Sequence, residues 1–326
     1  MRSRSVKDSD NLRIERPTFV SHLECAMVGD RYPADQIHNL SKANKPLLVR
    51  YDLAGVKQAL TKDALAQRPP DLWRYRELFQ VLAWRDLALR YKQTVVGVAW
   101  AVLRPFLTMV TFTVIFGRLA KLPSEGAAPY ALMVFAGMLP WTFFSTALSD
   151  ASNSLVSNAN LVSKVYFPRL IMPTATIIVG FVDFLVGFVI LVGMMIWYRF
   201  LPDPRILLLP VFVLMVFLAS LGPGLWITAV NVKYRDFRHV IPFIVQLGLY
   251  ISPVGFSSNI VPAKWRLLYS LNPMVGVIDG FRWCILGGES KIYWPGFGLS
   301  MFVVAVSLWL GIWQFRKSER MFADLI

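Results

Sequence analysis

Residues 170–198 read LIMPTATIIVGFVDFLVGFVILVGMMIWY, and this stretch decides the class of the fold. It is longer than the roughly 20 mostly apolar residues that an α-helix needs to cross a bilayer core about 30 Å thick. Its single charged residue is Asp183. A stretch this long and this apolar does not suit the surface helix of a soluble protein, so it predicts a membrane-spanning helix.

Five further stretches meet the same criterion. In chain order they are residues 99–119, 130–149, 206–232, 240–257 and 294–315. The chain of 326 residues is 56% hydrophobic and only 17% charged, which departs from the usual composition of soluble proteins. We therefore expect an all-α, polytopic membrane protein with six transmembrane helices, and the composition excludes a soluble globular enzyme.

The net charge of +14 is by itself compatible with nucleic-acid binding, but the distribution of the charges is not. Residues 1–92 hold 17 of the 34 basic and 11 of the 20 acidic side chains. We expect residues 1–70 to form a polar cytoplasmic extension, residues 71–98 an amphipathic interface helix, and residues 99–326 the six-span domain. No nucleic-acid partner is expected.

The sequence lacks the motifs of the common catalytic and nucleotide-binding sites. No G-x-x-x-x-G-K-[ST], G-x-S-x-G or H-E-x-x-H occurs, and the two Cys and three His residues have no metal-ligand spacing. We therefore expect no catalytic residue, no metal and no cofactor in this chain. If it moves a substrate uphill, a separate subunit must supply the energy.

An amphipathic stretch precedes the first predicted span. Residues 71–97 read DLWRYRELFQVLAWRDLALRYKQTVVG, with apolar side chains near helical spacing and charged side chains between them. This pattern predicts a helix that lies in the inner membrane interface. Two interpretations stay open: the helix only anchors the chain to the membrane surface, or its charged face docks a soluble partner.

A second candidate contact lies between the second and third predicted spans. Residues 151–170 read ASNSLVSNANLVSKVYFPRL. Leu155, Val162 and Val165 share one side of a short helix near residues 152–166, and Pro168 ends that helix. Such a helix is either a lever for a partner protein or a plain connector.

The segment near residues 258–290, between the fifth and sixth spans, is too interrupted by Pro, Gly and charges to span once. We expect either two short helices that dip part-way into the membrane and meet at Asn272-Pro273, or an ordinary interfacial loop. The orientation follows from Arg85, Arg90 and Lys92, which precede the first span and favour a cytoplasmic N-terminus. An even number of spans then places both termini in the cytoplasm.

Asp183 is the only acidic residue well inside a predicted span. An ionised carboxylate near mid-bilayer is costly, so Asp183 is expected to face the bundle interior or a wet cavity in a functional role. A protonated or locally hydrogen-bonded Asp183 with a packing role is the open alternative. The sequence shows no second intramembrane ionisable residue that would complete a proton relay.

Six short motifs then occur in order along the chain. They are RDLALRYKQTVVGVAWAVLRP (85–105), GMLPWTFF (137–144), NSLVSNANLVSKVYFPRLIMP (153–173), VKYRDFRHV (232–240), SPV (252–254) and LNPM (271–274). With these motifs, the chain from about Leu78 to Ile326 resembles the membrane subunit, or permease, of bacterial ABC exporters for lipid-linked polysaccharides. Such exporters carry O-antigen, capsule or teichoic acid. Residues 1–70 have no counterpart in this resemblance.

The resemblance implies a homodimer in the bacterial inner membrane whose two copies enclose a channel. Two copies of a separate ABC ATPase, which bind ATP and Mg, would drive export, with membrane lipids and the lipid-linked polysaccharide as further partners. The chain itself would not be an enzyme. The residues that the resemblance assigns to ATPase coupling are Glu77, Arg85, Asp86, Arg90, Tyr91, Lys92, Asn153, Asn158, Leu161, Lys164 and Phe167.

The resemblance also suggests residues for the channel and its outer gate. Asn272 and Pro273 correspond to the gate. The candidates for channel lining or glycan contact are Trp141, Phe143, Phe144, Asp183 and Tyr250. For the aromatic members of this set, anchoring at the membrane interface is the alternative interpretation.

Two other functions remain open. One is an ABC exporter whose cargo is a drug or a simple lipid. The other is a polytopic membrane enzyme that acts on lipid-linked sugars, for which the outer group Lys264, Arg266, Asp279, Arg282 and Glu289 is the candidate cluster. A solvated loop accounts for that group more simply, so we expect these side chains to be exposed.

Overall fold

The computed structural model divides the chain into two compact units, Met1–Arg74 and Tyr75–Ile326. In the first unit the described part forms a small sheet and one helix, and in the second it forms a set of helices. The residues that the structure describes are 20–25, 27–33, 41–42, 47–59, 82–86, 95–125, 128–164, 167–234, 236–287, 290–319 and 321–322.

The first unit contains a three-stranded antiparallel sheet. Its strands β1 (Val20–Cys25), β2 (Arg31–Tyr32) and β3 (Leu47–Tyr51) lie in the order β2-β1-β3. Arg50 of β3 donates a hydrogen bond from Nε to the Glu24 carboxylate of β1 over 2.6 Å. This hydrogen bond lowers the pKa of the Glu24 carboxyl. A cross-strand ion pair of this kind favours the observed pairing of β1 with β3.

A short helix, α1 (Leu53–Ala59), follows β3 directly. Asp52 precedes it, and the Asp52 carboxylate accepts hydrogen bonds from the backbone N–H groups of Ala54 and Gly55. These bonds satisfy two of the N–H groups that a helix leaves free at its start. The sequence pattern predicts only a polar extension in this region, so the sheet and its capped helix are new features of the structure.

The described residues of the second unit form helices and connecting loops, and residues 82–86 are the first helical segment among them. The later helices are α2 (Val95–Phe112, continued by the π-helical Thr113–Leu119), α3 (Tyr130–Ser157), α4 (Ala159–Lys164), α5 (Ile171–Trp197), α6 (Leu209–Lys233, preceded by the 3-10 turn Pro204–Leu208), α7 (Phe237–Ile251), α8 (Ala263–Tyr269), α9 (Pro273–Leu286) and α10 (Trp294–Glu319). A 3-10 turn, Ser258–Ile260, precedes α8.

Four helical stretches among the described residues are long and apolar enough to cross a membrane: α3, α5, α6 with its preceding turn, and α10. The stretches Pro105–Leu119 and Phe237–Ile251 are apolar but shorter. At a rise of about 1.5 Å per residue, the 15 residues of α7 are only about 22 Å long, less than the bilayer core, whereas Pro105–Leu119 is the apolar part of the longer helix α2. The structure therefore supports a mostly helical, multi-pass membrane protein, and the count of six spans stays a prediction.

The helix α3 is the most buried of the four. It packs against α5 on one side and α6 on another, and α6 in turn packs against α10. The contact between α6 and α10 is very close, because a Cβ atom added at Gly311 would lie 2.2 Å from the backbone carbonyl oxygen of Gly222. Two glycines thus allow these backbones to approach in the way that small residues do in membrane helix pairs.

Candidate coupling site and outer gate

Two of the predicted coupling segments are joined by a hydrogen bond. Arg85, in the helical segment 82–86, donates from Nη2 to the side-chain Oδ1 of Asn158 over 2.8 Å. Arg85 also binds the Oδ1 of Asp86 through Nε and Nη2, at 2.9 and 2.7 Å. The guanidinium therefore spans from its own helix to the end of α3.

Asn158 stands where α3 ends. Its backbone leaves the helical conformation, with φ −110° and ψ 29°, and α4 begins at the next residue. Its Nδ2 donates to the carbonyl oxygen of Ser154 over 2.8 Å, which fixes the amide so that Oδ1 points to Arg85. The break between α3 and α4 thus places the Asn158 Oδ1 within reach of the Arg85 guanidinium, which belongs to the helical segment 82–86.

A second polar contact joins α3 to α6 near the same end. The buried Asn231 of α6 donates from Nδ2 to the carbonyl oxygen of Ser152 over 2.8 Å and lies 3.3 Å from the Oδ1 of Asn153. Asn153 itself donates from Nδ2 to the carbonyl oxygen of Ser149. Asn153 therefore takes part in an interhelical contact inside the protein.

The structure describes only part of the remaining predicted coupling residues. Leu161 lies on α4 and is half-buried, whereas Phe167, just before α5, is buried. Lys164 ends α4, but its side chain lies outside the described part of the chain. Four others lie outside the described residues altogether: Glu77, Arg90, Tyr91 and Lys92.

The face that carries α4 is also joined to the end of α10. The backbone N–H of Arg169, which precedes α5, donates to the Glu319 carboxylate over 3.0 Å. The Arg169 guanidinium also donates to the backbone carbonyl oxygen of Glu319. The C-terminal end of α10 therefore lies at the same end of the bundle as α4.

The predicted channel and glycan-contact residues do not share one environment. Trp141 and Phe143 are buried within the chain. The ring of Phe143 packs edge-on against Phe184, with centroids 5.9 Å apart, and the half-buried Phe144 lies 5.6 Å from the ring of Trp141. Tyr250 of α7 is 57% exposed.

Asp183 lies in α5, half-buried among its neighbours. It makes an interaction with another group of the protein. The channel role of Asp183 stays a prediction.

Two short helices occupy the predicted gate segment and meet at Asn272-Pro273. Asn272 caps α9, because its Oδ1 accepts a hydrogen bond from the backbone N–H of Met274 over 3.0 Å, and Pro273 takes the first helical position. The Nδ2 of Asn272 donates to the Oγ of Ser252 over 2.9 Å. The Tyr269 hydroxyl of α8 donates to the carbonyl oxygen of Ile251. Both helices are thus tied to the end of α7.

Arg282 is the main site residue that the sequence does not predict correctly. The expectation of a solvated side chain is wrong, because Arg282 is 0% exposed. Its Nη1 and Nη2 donate to the backbone carbonyls of Phe256 and Val254, each over 2.8 Å. Its Nε donates to the carbonyl of Met133 over 3.2 Å.

A buried acid completes this arrangement. The Glu125 carboxylate lies 3.7 Å from the Arg282 Nη1 and accepts a hydrogen bond from the Ser290 hydroxyl over 2.8 Å. Buried charges of this kind need a partner and hydrogen bonds, and Arg282 has an acidic neighbour and three backbone acceptors. The signal for this role is structural: the non-helical turn at residues 252–256 leaves carbonyls without helix partners, and arginine has five N–H donors for them.

A protein-family model places these features in context. The model described as ABC-2 type transporter matches residues 77–286 of the chain. The match begins within the predicted interface helix, contains both the Arg85–Asn158 contact and the helices α8 and α9, and ends at the last residue of α9. The sheet of the first unit lies outside it.

Individual relatives agree with the family match. The O-antigen export system permease protein RfbA of Myxococcus xanthus is 25% identical over 258 residues, which cover 78% of this chain and 98% of that protein. A protein of the same name from Klebsiella pneumoniae is 24% identical, covering 77% and 95%. The inner membrane transport permease YadH of Escherichia coli K12 is 26% identical over 227 residues, covering 66% and 87%.

Proposed function

This chain belongs to the ABC-2 type transporter family, and we propose that it is the permease subunit of an ATP-driven exporter of lipid-linked polysaccharide. Membership of the family makes the chain an ABC transporter permease, and its apolar helices make it a multi-pass membrane protein. The polysaccharide cargo is supported by the relatives that are named O-antigen export permeases, which align over more than three quarters of the chain.

In this proposal two copies of the chain enclose the channel in the bacterial inner membrane, with both termini in the cytoplasm. The exposed apolar face of α7 supports the proposal that a second copy of the chain packs against it. Within α7 only Ile241 is buried, whereas Phe243, Leu247 and Tyr250 are exposed. An apolar face on a helix too short to span on its own is better covered by protein than by lipid alone.

Two copies of a separate ABC ATPase would bind at the cytoplasmic face and supply ATP and Mg. The observation that carries this proposal is the Arg85–Asn158 hydrogen bond, because it connects the predicted interface helix to the break between α3 and α4. Displacement of either segment by a closing ATPase would then be passed to α3 directly. The Asn231 contacts would pass it on to α6.

The continuous helix α3 provides the path from the ATPase side to the outer gate. It holds Asn158 at one end, and near its other end the Met133 carbonyl accepts the hydrogen bond from Arg282 of the gate helix α9. The two points are 25 residues apart, about 37 Å along a helix. Movement of α3 as a rigid element would therefore change the position of α9.

Reconstituted transport tests this proposal. The chain would be co-expressed with a candidate partner ABC ATPase and placed in proteoliposomes with a lipid-linked polysaccharide. We expect ATP-dependent transfer of the glycan to the opposite leaflet, measured by its protection from an added glycosidase. The control is the same complex with an ATPase subunit that binds ATP but does not hydrolyse it.

The other two functions predict different results. An exporter of drugs or simple lipids would hydrolyse ATP and move a labelled lipid or dye but leave the polysaccharide in place. A membrane enzyme would modify lipid-linked sugars without any ATPase subunit. The structure argues against the membrane-enzyme interpretation. Arg282 of the candidate cluster is buried and donates to backbone carbonyls, so it is not available to a substrate.

A further inference from the structure

Two tryptophans stack on the outer surface of α10. Trp309 and Trp313 have ring centroids 6.5 Å apart and an interplanar angle of 15°. The two side chains are 65% and 51% exposed, so neither belongs to the core of the bundle. Large exposed indoles are typical of the boundary between the lipid headgroups and the hydrocarbon of a bilayer.

Two cations adjoin this pair, one helical turn closer to the end of α10. The Nζ of Lys317 lies 5.0 Å from the centroid of the Trp313 ring, which is within the range of a cation–π interaction. The side chains of Arg316 and Lys317, together with Trp309, Ile312 and Trp313, line an open groove of about 570 Å³. The groove thus combines aromatic walls with a positively charged end.

The acid nearest to these cations in the sequence is held elsewhere. Glu319 accepts the backbone N–H of Arg169 over 3.0 Å, and its backbone carbonyl accepts from the Arg169 guanidinium. No acidic side chain lines the groove among the described residues. The charge of the groove is therefore complementary to an anion.

An apolar surface continues from the groove along the same side of α10. Phe302 and Val306 precede Trp309 and Trp313 at intervals of three or four residues, and both are exposed. From Phe302 to Lys317 the helix rises about 22 Å, close to the roughly 20–22 Å thickness of one leaflet with its headgroups. This length fits a lipid that lies along the helix, whereas a free anion would use only the charged end.

We propose that this surface, from Phe302 to Lys317, binds one anionic diacyl phospholipid. The phosphate and headgroup lie against Arg316 and Lys317, the indoles pack beside the glycerol region, and an acyl chain follows Val306 and Phe302. The Arg169–Glu319 contacts place the headgroup at the same end of the bundle as α4. The lipid therefore occupies the leaflet on the side of the Arg85–Asn158 contact.

Native mass spectrometry of the purified full-length chain tests the site. The protein would be titrated with phosphatidylglycerol and, separately, with phosphatidylcholine of the same acyl chains. We expect the wild-type chain to retain phosphatidylglycerol at least fivefold more tightly. The double variant Arg316→Gln/Lys317→Gln should lose this preference, and Trp313→Leu should weaken retention of both lipids.

The matched control is Lys264→Gln. Lys264 is also exposed and also lies near an indole, with Nζ 5.7 Å from the Trp265 ring centroid, but it belongs to α8 of the gate segment. Its replacement removes one positive charge at a different place, whereas the double variant removes two, so it is compared with the single variant Lys317→Gln. Retention of phosphatidylglycerol should therefore stay at the wild-type level in Lys264→Gln.

Four results would overturn the site. They are equal retention of the two lipids by the wild-type chain, unchanged phosphatidylglycerol retention in the double variant, an equal loss in Lys264→Gln, and displacement of the lipid by millimolar inorganic phosphate. The last would indicate a site for a soluble anion. A double variant that loses a second copy of the chain but keeps its lipid would show that the surface is a protein interface.

Discussion

Arg282 of α9 donates a hydrogen bond to the backbone carbonyl of Met133, which lies 149 residues earlier in the chain, in the first turn of α3. At the opposite end of the same helix, the Asn158 side chain accepts a hydrogen bond from Arg85. Two arginines from outside α3 thus hold its two ends. The first two predictions test these two contacts.

Removing the Arg85 side chain is expected to weaken coupling between ATP hydrolysis and transport. In proteoliposomes with the partner ATPase, Arg85→Ala and Asn158→Ala should each lower the cargo-stimulated ATPase rate about five- to tenfold. A change of this size corresponds to about 1 to 1.4 kcal/mol, within the usual net contribution of one hydrogen bond. Because both variants remove the same contact, the double variant should be little slower than either single variant.

Arg118→Ala is the control for these three variants. Arg118 is an exposed arginine at the end of the π-helical turn that follows α2. Its rate should match that of the wild type. Multiplicative losses in the Arg85→Ala/Asn158→Ala double variant would show that the two side chains act independently, and the proposed path through α3 would then be wrong.

Arg282→Met is expected to destabilise the protein strongly. The substitution leaves three backbone carbonyls and the Glu125 carboxylate without their donor, and breaking a buried ion pair costs about 3–5 kcal/mol. Thermal unfolding in detergent should show a clear drop in Tm. Adding Glu125→Gln should restore part of the loss, because it removes the charge that is left unpaired, and Lys264→Met should be neutral.

The close approach of α6 and α10 makes a prediction with a control on the same helix. Gly311→Ala places a methyl group 2.2 Å from the Gly222 carbonyl oxygen, so the helices must separate, at a cost of about 1–3 kcal/mol. Gly298→Ala, also in α10, meets no atom within 4 Å. It should be neutral, or stabilising by up to about 1 kcal/mol, because alanine favours the helix. Equal changes in the free energy of unfolding for Gly311→Ala and Gly298→Ala would refute the close packing of α6 against α10.

Two substitutions at Asn272 separate its two contacts. Asn272→Asp keeps an acceptor for the Met274 N–H but removes the donor to Ser252, whereas Asn272→Ala removes both. We expect the alanine variant to lose about 1 kcal/mol of stability through the missing cap and the aspartate variant to lose less. If the Ser252 contact positions the gate, both variants should transport more slowly than a variant at the exposed Asn259.

The helices of the second unit were largely predictable because long apolar runs leave few alternatives. Each of the six predicted stretches overlaps a described helix, although the fifth runs beyond the end of α7 at Ile251, and only four described stretches are both long and apolar enough to span. The hydropathy pattern ends this span at residue 149, because the following residues are polar, and this end is too early. In the structure the helix continues to Ser157, and the hydroxyls of Ser149, Ser152 and Ser154 are satisfied by carbonyls of their own helix.

Features that depend on distant pairing were not predictable from the sequence alone. The sheet of the first unit requires β1 to pair with a strand of two residues and with another more than 20 positions away. The burial of Arg282 depends on backbone carbonyls from two separate segments, the first turn of α3 and residues 254–256. The sequence predicted that the segments containing Arg85 and Asn158 share a role, but not that these two side chains bind each other.

The two held ends of α3 also restrict how its length can vary. Each residue turns an α-helix by about 100°, so a single residue inserted between Met133 and Asn158 would point Asn158 away from Arg85 while Met133 stayed with Arg282. An insertion of seven residues, close to two full turns, would restore the angle to within about 20° and shift the ends only along the axis. The angular phase of α3, and not its span alone, is what natural variation in this helix should preserve.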